Sequence, residues 1–356
     1  VAMSGGVDSS LAAVLLQEQG YKVIGITMQV WPVQQASAYE ARTCCSLDAV
    51  SDARAVADRI GIPHYVLNFR DVFATEVIDY FTAEYASGRT PNPCVACNRR
   101  IKFGALLQKA QELGADYLAT GHYSRIRLAP ETERWLLLRA ADKHKDQSYA
   151  LYNLTQSQLK QTLFPLGGLT KPAARRLAAE KGLAVADKPD SQEICFIPDN
   201  DYNAFLQGRI PEAIREGPVV ALDGKRLGTH RGLPFYTVGQ RKGLGIAAGE
   251  PLYVAELRPA ENTVVVGPRS AVYGRSLRVT DTNFIPFAAL ETEIKVTAKI
   301  RYNMSEAPAL LQPAEGGSAV LTFEAPQWAI TPGQAAVFYD GDTVVGGGTI
   351  EAKLAD

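Results

Sequence analysis

Ser4-Gly5-Gly6-Val7-Asp8-Ser9-Ser10 is the stretch whose reading decides the fold. Apolar Val1-Ala2-Met3 leads into two glycines, and from Asp8 to Gln19 apolar residues recur at helical spacing (Leu11, Val14, Leu15). A strand that turns through glycines into a helix aims backbone N–H groups and a helix N-terminus at one point, where an anion can be held. Glycine also lets the backbone approach phosphate oxygens with no Cβ in the way. The loop has no Gly-Lys-Ser/Thr, so it is not a Walker A loop, and no G-x-G-x-x-G, so it is not a dinucleotide fingerprint. The alternative is a plain glycine turn with Asp8 and Ser9 as helix caps. Val1-Ala2-Met3 is short for the strand that should precede the loop, which suggests that a few native residues lie before it.

Outward from the loop, Tyr21 to Val30 is β-rich, Leu47 to Ile60 helical and Ile62 to Phe69 a strand. Ile101 to Leu113 predicts a helix closed by Gly114, and Ala115 to Tyr123 a buried strand ending in Thr120-Gly121-His122-Tyr123. This βαβ rhythm predicts a parallel sheet covered by helices, with ligands at the carboxyl ends of its strands. Trp135 to Asp146 reads as a short strand and a charged loop; Lys171-Pro172 starts a helix that Gly182 stops. From about Asp201 short alternating stretches between Gly and Pro predict β structure, and the pattern recurs from about Ser276, as expected of a second small barrel or sandwich. Gly243-x-Gly245 and Gly346-Gly347-Gly348 read as turns. The expected domains are 1–200, 201–270 and 271–356.

At 356 residues the chain exceeds one ordinary core. Its 37 basic residues nearly cancel 38 acidic ones, so overall charge argues neither for nor against a nucleic-acid partner. No apolar run approaches the roughly 20 residues of a membrane span, which predicts a cytoplasmic protein. Five cysteines and no secretory signal argue for thiol, redox or metal chemistry over a disulfide framework. Cys94 and Cys97 form a C-x-x-C in the proline-bracketed Thr90-Pro91-Asn92-Pro93-Cys94-Val95-Ala96-Cys97-Asn98, read as a fixed loop before a basic helix start (Arg99, Arg100, Lys102). Positive charge and a helix N-terminus favour a thiolate at Cys97. Cys195 alone would be an ordinary core cysteine, but it follows a charged loop. Cys44 and Cys45 read as structural or incidental.

Six ordered segments together resemble the tRNA-specific 2-thiouridylases, within the larger class of ATP pyrophosphatases that share the SGGxDS loop. They are residues 4 to 9, the Pro91-Asn92-Pro93 to Asn98 stretch, Thr120 to Tyr123, Lys145-Asp146-Gln147-Ser148-Tyr149, Ser191-Gln192-Glu193-Ile194-Cys195-Phe196, and Tyr236 to Gly245. The resemblance spans essentially the whole chain. It implies an α/β fold in which a Rossmann-like ATP-pyrophosphatase domain is followed by a small β-rich central domain and a C-terminal β-barrel.

It also implies an activity: ATP adenylates the C2 oxygen of the wobble uridine in tRNAs for Lys, Glu and Gln, and sulfur then displaces AMP. By motif position, Cys97 matches the nucleophile and Cys195 the persulfide carrier, with a Cys97–Cys195 disulfide or released sulfide at the end. ATP would meet Ala2, Met3, Ser4, Gly5, Gly6, Val7, Asp8, Ser9, Met28 and Gly121, with His122 beside the nucleotide and Asp8 helping to hold Mg2+. Asn92, Pro93 and Cys94 match the stretch that meets the target base. Lys145, Asp146, Gln147, Arg301, Tyr302 and Gln334 match contacts to tRNA, in particular its anticodon arm. A sulfur donor protein, such as a cysteine desulfurase or a sulfur relay, is an implied partner.

Many members of that family carry Asp where this chain has Cys94, and a thiol cannot inherit a carboxylate's role. A rival expectation follows, in which Cys94, Cys97 and Cys195 hold three irons of a [4Fe-4S] cluster whose fourth iron binds sulfide. Two further functions compete. One is another adenylating ligase with the same loop, amide-forming or resembling argininosuccinate synthase; the other is a thiol- or metal-binding RNA module.

Overall fold

The computed structural model describes residues 1–30, 47–190, 194–197, 200–246 and 249–355. Cys44, Cys45 and the Ser191-Gln192-Glu193 part of the Cys195 motif lie outside the described residues. The chain divides into two units: residues 1–77, 94–200 and 342–344 form the first, and residues 78–93, 201–341 and 345–356 the second.

In the first unit α1 is Val7–Glu18, β1 Gly25–Gln29, α2 Leu47–Ile60, β2 His64–Asn68 and α3 Arg70–Phe73. A π-helical turn, Ala74–Asp79, leads from α3 across the unit boundary into α4, Tyr80–Ala86. The chain re-enters the first unit through α5, Pro93–Ala96, which runs on as a ten-residue π-helical stretch, Cys97–Leu106, and then α6, Leu107–Glu112. There follow β3, Leu118–Ala119; the hairpin of β4, Arg125–Ala129, and β5, Arg134–Leu138; α7, Gln156–Lys160; β6, Thr162–Leu163; and α8, Lys171–Glu180.

Hydrogen bonds order the central strands as β2, β1, residues 1–3, β3 and β6. β1 pairs in parallel with β2, and β3 with β6; Met3 N–H reaches Ile26 and Ala2 N–H reaches Ala119. The strand order therefore reverses between residues 1–3 and β3, the place where doubly wound sheets bind ligands at their carboxyl ends. α1 is buried almost all round, with Leu11, Ala12 and Ala13 inaccessible, so its few small polar residues are not a solvent face. The small side chains let it lie close to both the sheet and α8.

The second unit holds α9, Tyr202–Arg209, and a four-stranded sheet of β7, Gly217–Ala221, β8, Arg226–His230, β9, Tyr253–Arg258, and β10, Thr263–Gly267, in the order β8-β7-β10-β9. Its other part is a closed six-stranded barrel. The strands are β11, Tyr273–Phe284; β12, Ile294–Lys299; β13, Ala307–Pro313; β14, Ala319–Trp328; β15, Ala335–Asp340; and β16, Thr343–Lys353, in the order β11-β14-β13-β12-β15-β16 with β16 returning to β11. Inward positions such as Leu277, Leu311, Leu321, Phe338 and Ile350 fill the barrel.

Two expectations are corrected. Gly346-Gly347-Gly348 is not a turn but the middle of β16, where β11 passes so close that a Cβ on Gly346 would stand 2.1 Å from the Asn283 carbonyl. The cysteine pair is not in a loop either. Pro93 occupies the first position of α5, where its missing N–H costs no hydrogen bond, so Cys94 stands in the first turn and Cys97 one turn further on. No helix among the described residues is long and apolar enough to cross a membrane.

Candidate functional site

The phosphate loop ends on α1, whose N-terminal cap is Gly6 and provides no side-chain hydrogen bond. Gly5 has φ +66°, and a Cβ there would lie 2.2 Å from the Ala49 carbonyl, so this glycine is demanded by the packing of α2 as well as by any ligand. Gly121 closes the same place from β3: a Cβ would meet the Asp8 and Ser9 backbone at 2.7 Å. Ser9 braces the loop by accepting the Ser4 N–H at 3.1 Å and donating to the Gly6 carbonyl at 3.2 Å. Ala2 and Met3 are strand residues beside this turn, Val7 is buried in α1, and Met28 lies half-buried near the end of β1.

Asp8 is the centre of an ion network. Its carboxylate accepts the Tyr123 hydroxyl at 2.8 Å and the Lys171 ammonium at 2.8 and 2.7 Å. Lys171, with a side chain only 9% exposed, also bonds Asp190 at 2.8 Å. Asp190 takes Lys145 at 2.6 Å and Arg175 at 2.9 Å as well. Burial pushes the Asp190 carboxyl up, but hydrogen bonds from Lys145 and Lys171 and the Lys171 charge outweigh it and hold it at about 2. Tyr123 is pushed well up by burial, the Asp8 charge and its hydrogen bond, and so remains a neutral donor. Lys188 donates to the Gly5 carbonyl at 3.2 Å and to Asp52 at 2.5 Å.

Sequence reading missed Lys171, Asp190, Lys188 and Tyr123 as members of this group. Lys171 had shown only as the start of a helix. Its signal is a cation at the first position of α8, where the helix dipole disfavours positive charge.

His122 is buried beside the loop. Nδ1 pairs with Thr120 Oγ1 at 2.7 Å and Nε2 faces Lys102 Nζ at 3.4 Å. An ammonium can only donate, so the hydrogen-bond network assigns the ring proton to Nδ1. Burial and then the Lys102 charge hold this imidazole far below its usual value, which keeps it neutral. Lys102 and Phe103 belong to the π-helical stretch that begins at Cys97, and the Phe103 ring lies 6.0 Å from His122. The thiol-bearing helix is thus tied to the strand end that closes the phosphate loop.

Cys94 is exposed, while Cys97 and Cys195 are half-buried. The segments of Cys97 and Cys195 share a packing partner: the Cys97 helix contacts α3, and Phe196 meets Phe73 of α3 edge to face at 5.9 Å. Among the described residues no three Cys, His, Asp or Glu side chains gather as metal ligands. For Mg2+ the donor set suits. One carboxylate, Asp8, at a phosphate loop is the usual protein contribution when substrate phosphates complete the shell.

The residues implied as tRNA contacts are largely engaged within their own units. Besides the Lys145 pair, Asp146 accepts the Ala140 N–H at 3.0 Å and the Ser148 hydroxyl at 2.8 Å, and Gln147 accepts the Tyr123 N–H at 2.9 Å. In the second unit Arg301 donates from Nη2 to the Val238 and Ala329 carbonyls at 3.0 and 3.2 Å and to Thr331 Oγ1 at 2.6 Å. Gln334 donates to the Thr90 carbonyl at 3.0 Å and the Pro91 carbonyl at 3.4 Å, just before Asn92 and Pro93. Tyr302 is exposed, with Lys299 Nζ 5.8 Å from its ring.

Three family models match: one described as a tRNA methyl transferase HUP domain over residues 1–199, one as a tRNA methyl transferase PRC-barrel domain over 203–268, and one as an aminomethyltransferase β-barrel domain over 274–350. The tRNA-specific 2-thiouridylase MnmA of Heliobacterium modesticaldum is 60% identical over 99% of this chain and 92% of its own length. That of Moorella thermoacetica is 56% identical over 99% of both chains. A solved NMN synthetase from Francisella tularensis aligns with 64% of this chain and 77% of its own at 15% identity, with a TM-score of 0.30.

Proposed function

Since the chain belongs to the tRNA-specific 2-thiouridylase family, we propose that it is an ATP-dependent tRNA sulfurtransferase acting at C2 of the wobble uridine in tRNAs for Lys, Glu and Gln. The observation that carries this reading is the phosphate loop, with Asp8 at its helix start, in the same unit as two half-buried cysteines whose segments meet α3. The matching family models are described as methyl transferase domains; a methyl transfer calls for neither a thiol nor an ATP-cleaving loop, and thiolation accounts for both.

The C2 oxygen is a poor leaving group, so it first attacks the α-phosphorus of ATP and pyrophosphate departs. The α1 N-terminus faces the phosphates, and the loop from Ala2 to Ser9, Met28 and Gly121 hold the nucleotide. Mg2+ held by Asp8 would supply charge neutralisation at those phosphates. Neutral His122 orients without adding charge.

Cys195 carries the incoming sulfur as a persulfide delivered by a sulfur donor protein. Its terminal sulfur attacks C2, and AMP leaves with the former C2 oxygen. The Cys97 thiolate then attacks Cys195 Sγ, and the electron pair of the broken S–S bond stays on the sulfur now at C2. The product is 2-thiouridine with a Cys97–Cys195 disulfide, which a dithiol reductant resets. Asn92 and Pro93 meet the base, and Tyr302 offers an exposed ring for stacking on unpaired RNA.

The test is to incubate the full chain with ATP, Mg2+, a persulfide source and unmodified tRNA, digest to nucleosides and look for 2-thiouridine. Its absence under reducing conditions, and again after anaerobic iron–sulfur reconstitution, overturns the reading. Cys97→Ser and Cys195→Ser should each abolish 2-thiouridine; ATP–pyrophosphate exchange that persists in both variants, with no thiolated tRNA from the wild type, would favour an adenylating ligase instead. Activity that depends on bound iron would replace the persulfide route with the cluster route.

A further inference from the structure

We propose that Lys171 is a phosphate-binding residue, parked between Asp8 and Asp190 in the nucleotide-free protein and passed to the terminal phosphates of ATP when the nucleotide enters, which leaves Asp8 free for the cation. This rests on the reading of the loop as an ATP site.

A buried ammonium is costly unless paired, and Lys171 is paired twice, with Asp8 and with Asp190. The two partners are not equivalent. Asp190 also holds Lys145 and Arg175, so it stays paired when Lys171 departs. Asp8 would retain the Tyr123 hydroxyl, and a divalent cation is the natural replacement for the ammonium. Lys171 can therefore leave without orphaning either carboxylate.

The direction of its move follows from the local field. Lys171 opens α8, whose first N–H rests on Asp142 Oδ2 at 2.8 Å, and its ammonium reaches Asp8 in the first turn of α1, so the ammonium stands by the N-terminus of α1. That helix dipole repels a cation and attracts an anion. A polyphosphate arriving at α1 satisfies that helix end and Lys171 together, whereas Asp190 keeps Lys145 and Arg175 once Lys171 leaves. The ammonium already touches both oxygens of Asp8, within one side chain's swing of an anion on the loop.

Calorimetric titration of the full chain with inorganic pyrophosphate and with AMP, both without metal or tRNA, tests this. Lys171→Met should weaken pyrophosphate about 10- to 100-fold, the scale of a lost charged hydrogen bond, and leave AMP within about twofold. Asp190→Asn should instead tighten pyrophosphate by about three- to tenfold, since it removes a competitor for the ammonium and keeps Lys171 itself. A merely structural lysine predicts no such gain. Unchanged pyrophosphate affinity in Lys171→Met, or weakened affinity in Asp190→Asn, overturns the assignment while the loop reading stands. A wild-type protein that takes neither probe overturns the loop reading and this assignment with it. Should Lys171→Met fail to fold, the sign of the Asp190→Asn change decides alone.

Discussion

Lys171 in the first unit and Arg301 in the second are both cations turned inward, and they are held in opposite ways. Lys171 lies between two carboxylates beside the N-terminus of α1. Arg301 lies against two backbone carbonyls and a hydroxyl, linking Val238 to the Ala329–Thr331 turn. Carboxylates can trade a lysine for a metal ion, and the lysine can trade them for a phosphate; backbone carbonyls have no such exchange open to them. The first arrangement suits a site that changes partners during a reaction, and the second a clasp that keeps one geometry. Charge alone, which both residues share, does not separate them.

The largest break between the two regions is expected in nucleotide chemistry. Asp8→Asn should cut tRNA-dependent ATP–pyrophosphate exchange by on the order of 10²- to 10³-fold, as loss of a charge-stabilising group in a preorganised site does. Arg301→Met should leave exchange per folded molecule within about threefold. Isotope exchange on both variants checks this, and equal losses would erase the distinction.

Next in size is stability. Arg301→Met removes the guanidinium from the Val238 carbonyl and Thr331 Oγ1, while the Ala329 carbonyl keeps the Thr331 hydroxyl at 2.8 Å, and should cost about 2–3 kcal/mol of unfolding free energy in urea, with Arg301→Lys intermediate because one ammonium cannot span the same fork. Wild-type stability combined with weakened tRNA binding would show that Arg301 contacts RNA instead.

The ion network adds a smaller, pH-dependent term. Asp190 sits at about 2 in the folded chain, below the roughly 3.9 of an unfolded aspartate. A depressed carboxyl contributes stability that is fully present above the unfolded value and disappears as pH falls through the folded one. Acid unfolding of the wild type should therefore steepen between about pH 4 and pH 2, and Asp190→Asn should flatten that window. An identical acid profile for the variant would mean that Lys145, Lys171 and Arg175 do not hold the carboxylate in solution.

Local signals were legible where the cause is local. Leu47–Ile60 was bounded correctly because its pattern and ends lie in one stretch, and the turn at Ser4–Ser9 was readable from an apolar lead-in, two glycines and a helix. Lys171 was invisible as a member of the Asp8 network because that partner is 163 positions away and a lysine before a proline reads as a helix start. The glycine run at 346–348 carries a turn's composition, yet its cause is the passage of β11 alongside it. Prolines around Asn92 pointed to a loop, and the second of them instead opens the helix of both cysteines. In each miss the deciding neighbour is distant in sequence or the residue has two common structural uses.

The smallest expected effect concerns Gln334, which the family resemblance makes a tRNA contact and the structure ties to the Thr90 and Pro91 carbonyls. The same turn accepts the Thr90 N–H on the Pro332 carbonyl at 2.9 Å, and Thr90 Oγ1 donates to Thr237 at 3.3 Å, so the amide is one of several ties on this segment. Gln334→Ala should cost about 1 kcal/mol or less, because the remaining ties hold and one of its two bonds is long. If Gln334 acts as part of the Arg301 kind of clasp, tRNA affinity by filter binding should stay within about twofold while the thiolation rate falls modestly through a looser Asn92-Pro93. A tenfold loss of tRNA affinity at unchanged stability would move Gln334 out of the clasp and into the RNA interface, and would show that neutral hydrogen bonds in the second unit can be exchanged after all.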